Sequence, residues 1–125
     1  MRQSPLLALV ERMLSALQHL DAEAIMKCMS DDVCGLDEIT TSFVRGRAAM
    51  EAYVTNLVAQ APSVKSHIID FHEIVTGDAA FVTCRLEQRY VLDGVERVHH
   101  TPTTYGFKVV DDHWKICVFH SVPLD

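Results

Sequence analysis

Residues 79–110 read AAFVTCRLEQRYVLDGVERVHHTPTTYGFKVV, and this stretch decides the fold. Ala79 to Leu92 is rich in β-branched and aromatic residues with a period of two, which predicts a long strand. Asp93-Gly94 supplies two residues that tolerate positive φ, the strongest short hairpin signal. Val95 to Val110 predicts the returning strand, with Pro102 marking a bulge or an edge. The pattern extends on both sides. Upstream, VKSHIIDFHEIV (Val64 to Val75) predicts a strand closed by a turn at Gly77-Asp78. Downstream, a turn at Asp111-Asp112-His113 leads into a last strand, WKICVFHSV, from Trp114.

Before Pro62 the period is helical. Ser4-Pro5 is a helix start, a capping hydroxyl followed by a proline at the first helical position. Leu6, Val10, Met13, Leu17 and Leu20 then recur at steps of four and three, which predicts a helix to about His19. Asp21 can cap a short second helix, AEAIMKCMS, with Ile25, Cys28 and Met29 buried. DDVCGLD predicts a short strand. A third helix opens at Gly46 with a stripe of Met50, Tyr53 or Val54, Leu57 and Ala61, and ends at Pro62. The order predicts an α+β fold of three N-terminal helices packed on a curved, mostly antiparallel sheet, in one domain over residues 1–125.

Bulk properties narrow the function. The chain has 125 residues, 49% apolar and 22% charged, with a formal net charge of −6 and no Lys/Arg cluster. A nucleic acid or an anionic membrane surface as partner needs a basic footprint, so neither is expected. No apolar run approaches the roughly 20 residues of a membrane span, and no secretory leader is legible, so a cytoplasmic location is expected. Cys28, Cys34, Cys84 and Cys117 lie singly in apolar stretches, which predicts free thiols in a reducing compartment.

Alternation assigns faces. Lys115 should avoid the core, so Trp114, Ile116, Val118 and His120 should share the inner face, with Cys117 and Phe119 outside. Two apolar residues outside imply a covered outer face. Lys108, by the same logic, turns Phe107, Tyr105, Thr103, Thr101 and His99 inward. In the strand from Val64, His67, Ile69 and Phe71 share a face taken as inner. Two faces remain open for residues 79–92, so either Cys84 or Arg85 could point in. His99 and His100 are neighbours on a strand and face opposite ways, and so do His67 and His72, five apart. No His-x-His, phosphate loop or nucleophile elbow occurs, so no metal and no cofactor are expected.

Three stretches carry a family resemblance: HLDAEAIMKCMSDDV, VRGRAAMEAYVTNL and WKICVFHSVP. In this order and spacing they resemble the SnoaL-like, ketosteroid-isomerase-like domains of the NTF2-like superfamily, a cone-shaped α+β barrel also described as cystatin-like. The resemblance implies a pocket inside the cone and a homodimer through the outer sheet face. The fold hosts isomerases, epoxide hydrolases, cyclases, dehydratases and non-catalytic modules. By the same resemblance Asp37, five residues after Asp32, is a candidate general base at the pocket mouth. Tyr105 falls near the family's oxyanion donor. His120 is a candidate acid/base or ligand contact. Met13 stands where the isomerase pattern has a tyrosine, and a thioether cannot donate a hydrogen bond. Only Arg85 offers the central cation of the epoxide-hydrolase pattern.

The expected pocket therefore holds Asp37, His120 and Tyr105 among Met13, Tyr53, Phe107, Trp114, His67, Thr103 and Val118. Two functions follow. One is a cofactor-independent enzyme doing proton transfer (isomerase, cyclase or dehydratase) or water addition on a small apolar molecule. The other is a non-catalytic ligand-binding or dimerisation module.

Overall fold

The computed structural model describes residues 4–37 and 41–122. The elements run α1 (Pro5–Gln18), α2 (Ala22–Lys27), β1 (Met29–Asp37), β2 (Ser42–Arg45), α3 (Arg47–Gln60), β3 (Lys65–Thr76), β4 (Ala79–Leu92), β5 (Val95–Val110) and β6 (His113–Ser121). The α+β fold is the expected one. β2 is an addition: four residues, too short for a periodic signal, paired antiparallel with the end of β1.

Each helix starts for a local reason. Ser4 Oγ accepts from the Leu6 and Leu7 amides and donates to Glu73 on β3, capping α1 and tying it to the sheet. Such a cap contributes about 1 kcal/mol. Asp21 caps α2 through the Ala24 amide. Gly46 precedes α3 at φ +86°, a left-handed conformation that a side chain would strain.

The six strands form one sheet in the order β2-β1-β6-β5-β4-β3. Among the described residues, only the β1–β6 pair is parallel. The β4–β5 hairpin keeps unbroken register from Ala79–Lys108 to Leu92–Val95. Asp93 and Gly94 both have positive φ, as the two-residue turn demands, and so do Asp111 and Asp112 between β5 and β6. Pro102 causes no bulge. It pairs with Arg85, and its carbonyl accepts the Val122 amide where β6 runs out, so its missing N–H falls where the ladder ends.

Register shifts lie elsewhere: one between Met29 and Cys34 where β1 pairs with β6, and two bulges, in β6 and β3, that reset the faces. In β6, Phe107 pairs with Ile116 but Gly106 pairs with Val118, so Cys117 is one extra residue. In β3, Ile69 pairs with Arg85 but His72 with Thr83, again one extra residue, at Asp70 with φ +58°. A bulge reverses the alternation beyond it.

The core has two parts that share Met13 and Phe119 at their border. In one, Leu6, Leu9, Val10 and Leu14 of α1 pack on Ala80, Val82, Cys84 and Leu86 of β4, with Tyr105, Phe107 and Ile116. In the other, Ile25 and Met26 of α2 and Met50 and Val54 of α3 meet Met29 and Val33 of β1. β4 is thereby oriented, with Cys84 in the core and Arg85 exposed outside.

Candidate functional site

A cavity of about 290 Å³ lies between the three helices and the concave face of the sheet. The helical side supplies Met13, Leu14 and Leu17 from α1, Ile25 from α2, and Tyr53, Val54 and Leu57 from α3. The sheet side supplies Leu36, Leu86, Gln88, Tyr105, Phe119 and Ser121. No Asp, Glu, Lys, Arg or His appears among the described residues that line it.

Of the expected residues, Met13, Tyr53 and Tyr105 line this cavity. Tyr105 is 2% exposed. Burial, with a smaller effect from Cys84, pushes its phenol well above the ordinary range and keeps it protonated. Phe107 and Trp114 sit deeper, in the core and against it. Thr103 is buried on the inner face behind Ser121, which it contacts at 2.9 Å. Asp37 ends β1 half-buried opposite Ser42, one residue after the lining Leu36.

Three expectations are corrected. His120 is exposed on the outer face, opposite Thr104, because the extra residue Cys117 reverses the alternation after Ile116. Val118 moves out with it, and Phe119 and Ser121 turn in. His67 is exposed and paired with Glu87, whose neighbours on β4 place it outside, because the parity read through Phe71 crosses the Asp70 bulge. The outer face is apolar through other residues than Cys117 and Phe119. Ile74, Phe81, Gly106 and Val118 pair in one row across four strands. Ile74, Phe81 and Val118 are 56%, 49% and 46% exposed, and Val118 covers Gly106.

Gln88, Phe119 and Ser121 were not anticipated. Gln88 has the parity of Val82, Cys84 and Leu86, so orienting β4 would have found it. Phe119 lies over Gly35 on the neighbouring strand: a Cβ there would come 2.3 Å from Phe119 Cζ. A second depression, about 380 Å³, lies between α1 and β3 and carries Glu11, Gln18, Ser66 and His67. Ser66 Oγ is buried there with no partner among the described residues.

Thiol and carboxylate chemistry lies elsewhere. All four cysteines are free, with Cys28 and Cys84 buried. Outside the cone, the Lys108 ammonium and the Ser30 hydroxyl hold the Asp32 carboxyl below its usual range. No three His, Cys, Asp or Glu side chains converge as metal ligands among the described residues. No helix there is long and apolar enough to cross a membrane.

Helices closed over a curved sheet, with an apolar cavity between, define the cone-shaped α+β class. The chain belongs to the SnoaL-like domain family, whose description matches residues 6–125. No curated protein matches its sequence significantly. Solved structures share the fold at low identity. A protein with a cystatin-like fold from Caulobacter vibrioides is 17% identical with a TM-score of 0.80, covering 96% of this chain and 87% of its own. A candidate dehydratase of the NTF2-like family from Streptomyces avermitilis is 19% identical with a TM-score of 0.83, covering 94% and 93%. The S. rosetta CaMKII hub is 18% identical with a TM-score of 0.83, covering 99% and 100%.

Proposed function

We propose that this domain binds one small, mostly hydrocarbon molecule inside its cone. The observation that carries this is the cavity itself, about 290 Å³ between the helices and the sheet, walled mostly by apolar side chains with Tyr105 and Gln88 among them. A small apolar molecule that fills it leaves water and meets packed side chains, with a few polar groups to orient it. The cavity size sits at the lower end for ligand sites, so the occupant is small. The test is a fluorescence titration with the neutral probe N-phenyl-1-naphthylamine. Wild type binds it, and Met13→Trp, which fills the cavity from α1, weakens binding at least tenfold without changing the circular dichroism. Binding that survives Met13→Trp places the probe elsewhere and overturns the reading.

A second reading, proton transfer by an isomerase, cyclase or dehydratase, is favoured by one observation. Asp37 has the parity on β1 of Val33 in the core and of Gly35 beneath Phe119, which turns it toward the inner side at the end of the strand, where its carboxylate could serve at the rim. Asp37→Asn then abolishes turnover and leaves probe binding intact. Loss of both together argues for a structural role instead.

We also infer that the outer sheet face pairs two copies of the chain. The row Ile74, Phe81, Val118 is the apolar surface such a contact would cover, and hub domains of this fold are among the structural neighbours. Light scattering at micromolar concentration should give the mass of a dimer. Phe81→Asp places a charge in the middle of that row and should give the monomer. A monomeric wild type refutes the contact.

A further inference from the structure

The polar wall of the cavity has a direction. A hydroxyl has one proton to donate. Thr103 Oγ1 donates its proton to the Thr101 carbonyl at 3.0 Å. The 2.9 Å contact between Thr103 and Ser121 must therefore take its proton from Ser121. Ser121 is left with lone pairs only. Thr101 Oγ1 donates to Gln88 Oε1 at 3.1 Å. That bond fixes which end of the amide is used up and leaves Gln88 with its two N–H donors. Thr101 and Thr103 are 5% and 4% exposed, so both are locked by packing as well as by these bonds. Gln88 lines the cavity, and no other side-chain bond engages it among the described residues.

Charge narrows the occupant further. The described lining has no ionisable side chain except the tyrosines. A carboxylate or phosphate brought here would lose its water and meet no cation, a heavy cost. An ammonium would meet no carboxylate. A plain hydrocarbon would leave the Gln88 N–H groups desolvated and unpaired.

We propose that Gln88, oriented by Thr101, is the specificity-determining residue of the cavity, and that the ligand is an uncharged molecule with a carbonyl that the Gln88 amide grasps. This rests on the cavity being the binding site. Thr101 is a positioning residue: it acts through Gln88.

Three probes with the same number of non-hydrogen atoms test it: 2-acetylnaphthalene, 2-isopropenylnaphthalene and 2-naphthoate. The first two differ by a carbonyl oxygen in place of a methylene, and the third carries a charge. The ketone should bind about tenfold tighter than the alkene, the size of one unpaired buried donor, and the naphthoate should bind weakest. Gln88→Leu should erase the preference for the ketone by raising alkene binding toward the ketone's level, because no donor is then left unpaired, and an alkene that binds at least as well as to wild type shows that the variant is folded. Thr101→Val, nearly isosteric, should shrink the preference in the same way. Equal binding of ketone and alkene, tightest binding of the naphthoate, or a preference that survives Gln88→Leu overturns the assignment while the cavity remains the binding site. If none of the three binds, the cavity reading falls and the assignment with it.

Discussion

Gly35→Ala should lower stability by about 1–3 kcal/mol, the range for forcing extra carbon into a packed core. Gly35 needs no unusual φ, so the cost is steric. Its Cβ would lie 2.3 Å from Phe119 Cζ and under 3 Å from both Cε atoms. The ring lies where a side chain would be, because β1 and β6 pair in parallel with Gly35 opposite Phe119. A methyl there must push the ring away. Phe119 lines the cavity, so that is where the ring has room to go. The urea midpoint should fall at constant m-value, and N-phenyl-1-naphthylamine binding should weaken with it. Phe119→Leu in the same chain should relieve the clash, so the double variant should be less destabilised than the sum of the singles. A midpoint within experimental error of wild type would show that the ring moves freely, and the argument would fail.

Stability should fall as pH rises from 9 toward 11, because buried thiols and a buried phenol ionise more readily in the unfolded chain. Desolvation, and secondarily the charge of Asp70, pushes the Cys84 thiol up from 9.0 to about 11. Burial moves Cys28 and Tyr105 in the same direction. Below pH 9 the Cys84 thiol is protonated in both folded and unfolded chains and does not affect stability. Above 9 the unfolded chain ionises first, and stability falls until the folded thiol ionises near 11. Two pH units correspond to about 2–3 kcal/mol from Cys84 alone. Tyr105 adds to the loss from about pH 10, the usual value for a phenol. Urea denaturation at pH 8 and pH 10.5 measures the difference. Cys84→Val keeps the volume roughly constant and should remove part of the alkaline loss. An unchanged pH dependence in that variant would rule out the thiol as a source.

The parts legible in the sequence are the local ones. Ser4-Pro5, Asp21 and Gly46 each begin a helix through bonds or angles made within a few residues. Asp93-Gly94 fixes the long hairpin because a two-residue turn needs positive φ at both positions. Tyr105 could be placed facing inward because β5 runs without interruption from Val95 to Lys108, and Lys108 could not be buried. The errors come from what neighbouring strands impose. Nothing in WKICVFHS marks Cys117 as an extra residue, since the bulge exists only relative to β5. His120 and Val118 therefore read as wall, and Phe119 as surface. Asp70 does the same to His67. Gln88 stayed hidden for a related reason: both faces of β4 carry apolar and polar residues, and only packing against α1 chooses between them. Ser42–Arg45 forms a strand only because the end of β1 offers it a partner.

The extra residue in β6 acts like a phase shift in a two-beat signal. Upstream of Cys117 the beat that faces the cone falls on even numbers, Trp114 and Ile116. Downstream it falls on odd ones, Phe119 and Ser121. Deleting Cys117 would take out the extra beat and set Val118 directly after Ile116 in plain alternation, so Phe119 and Ser121 would still face the cone. The columns would exchange only in a strand of unchanged length whose bulge is pulled flat. A phenyl ring and a hydroxyl would then leave the chamber, and an isopropyl group and an imidazole would enter it. The bulge, rather than the composition of β6, keeps the His120 imidazole out of the cavity.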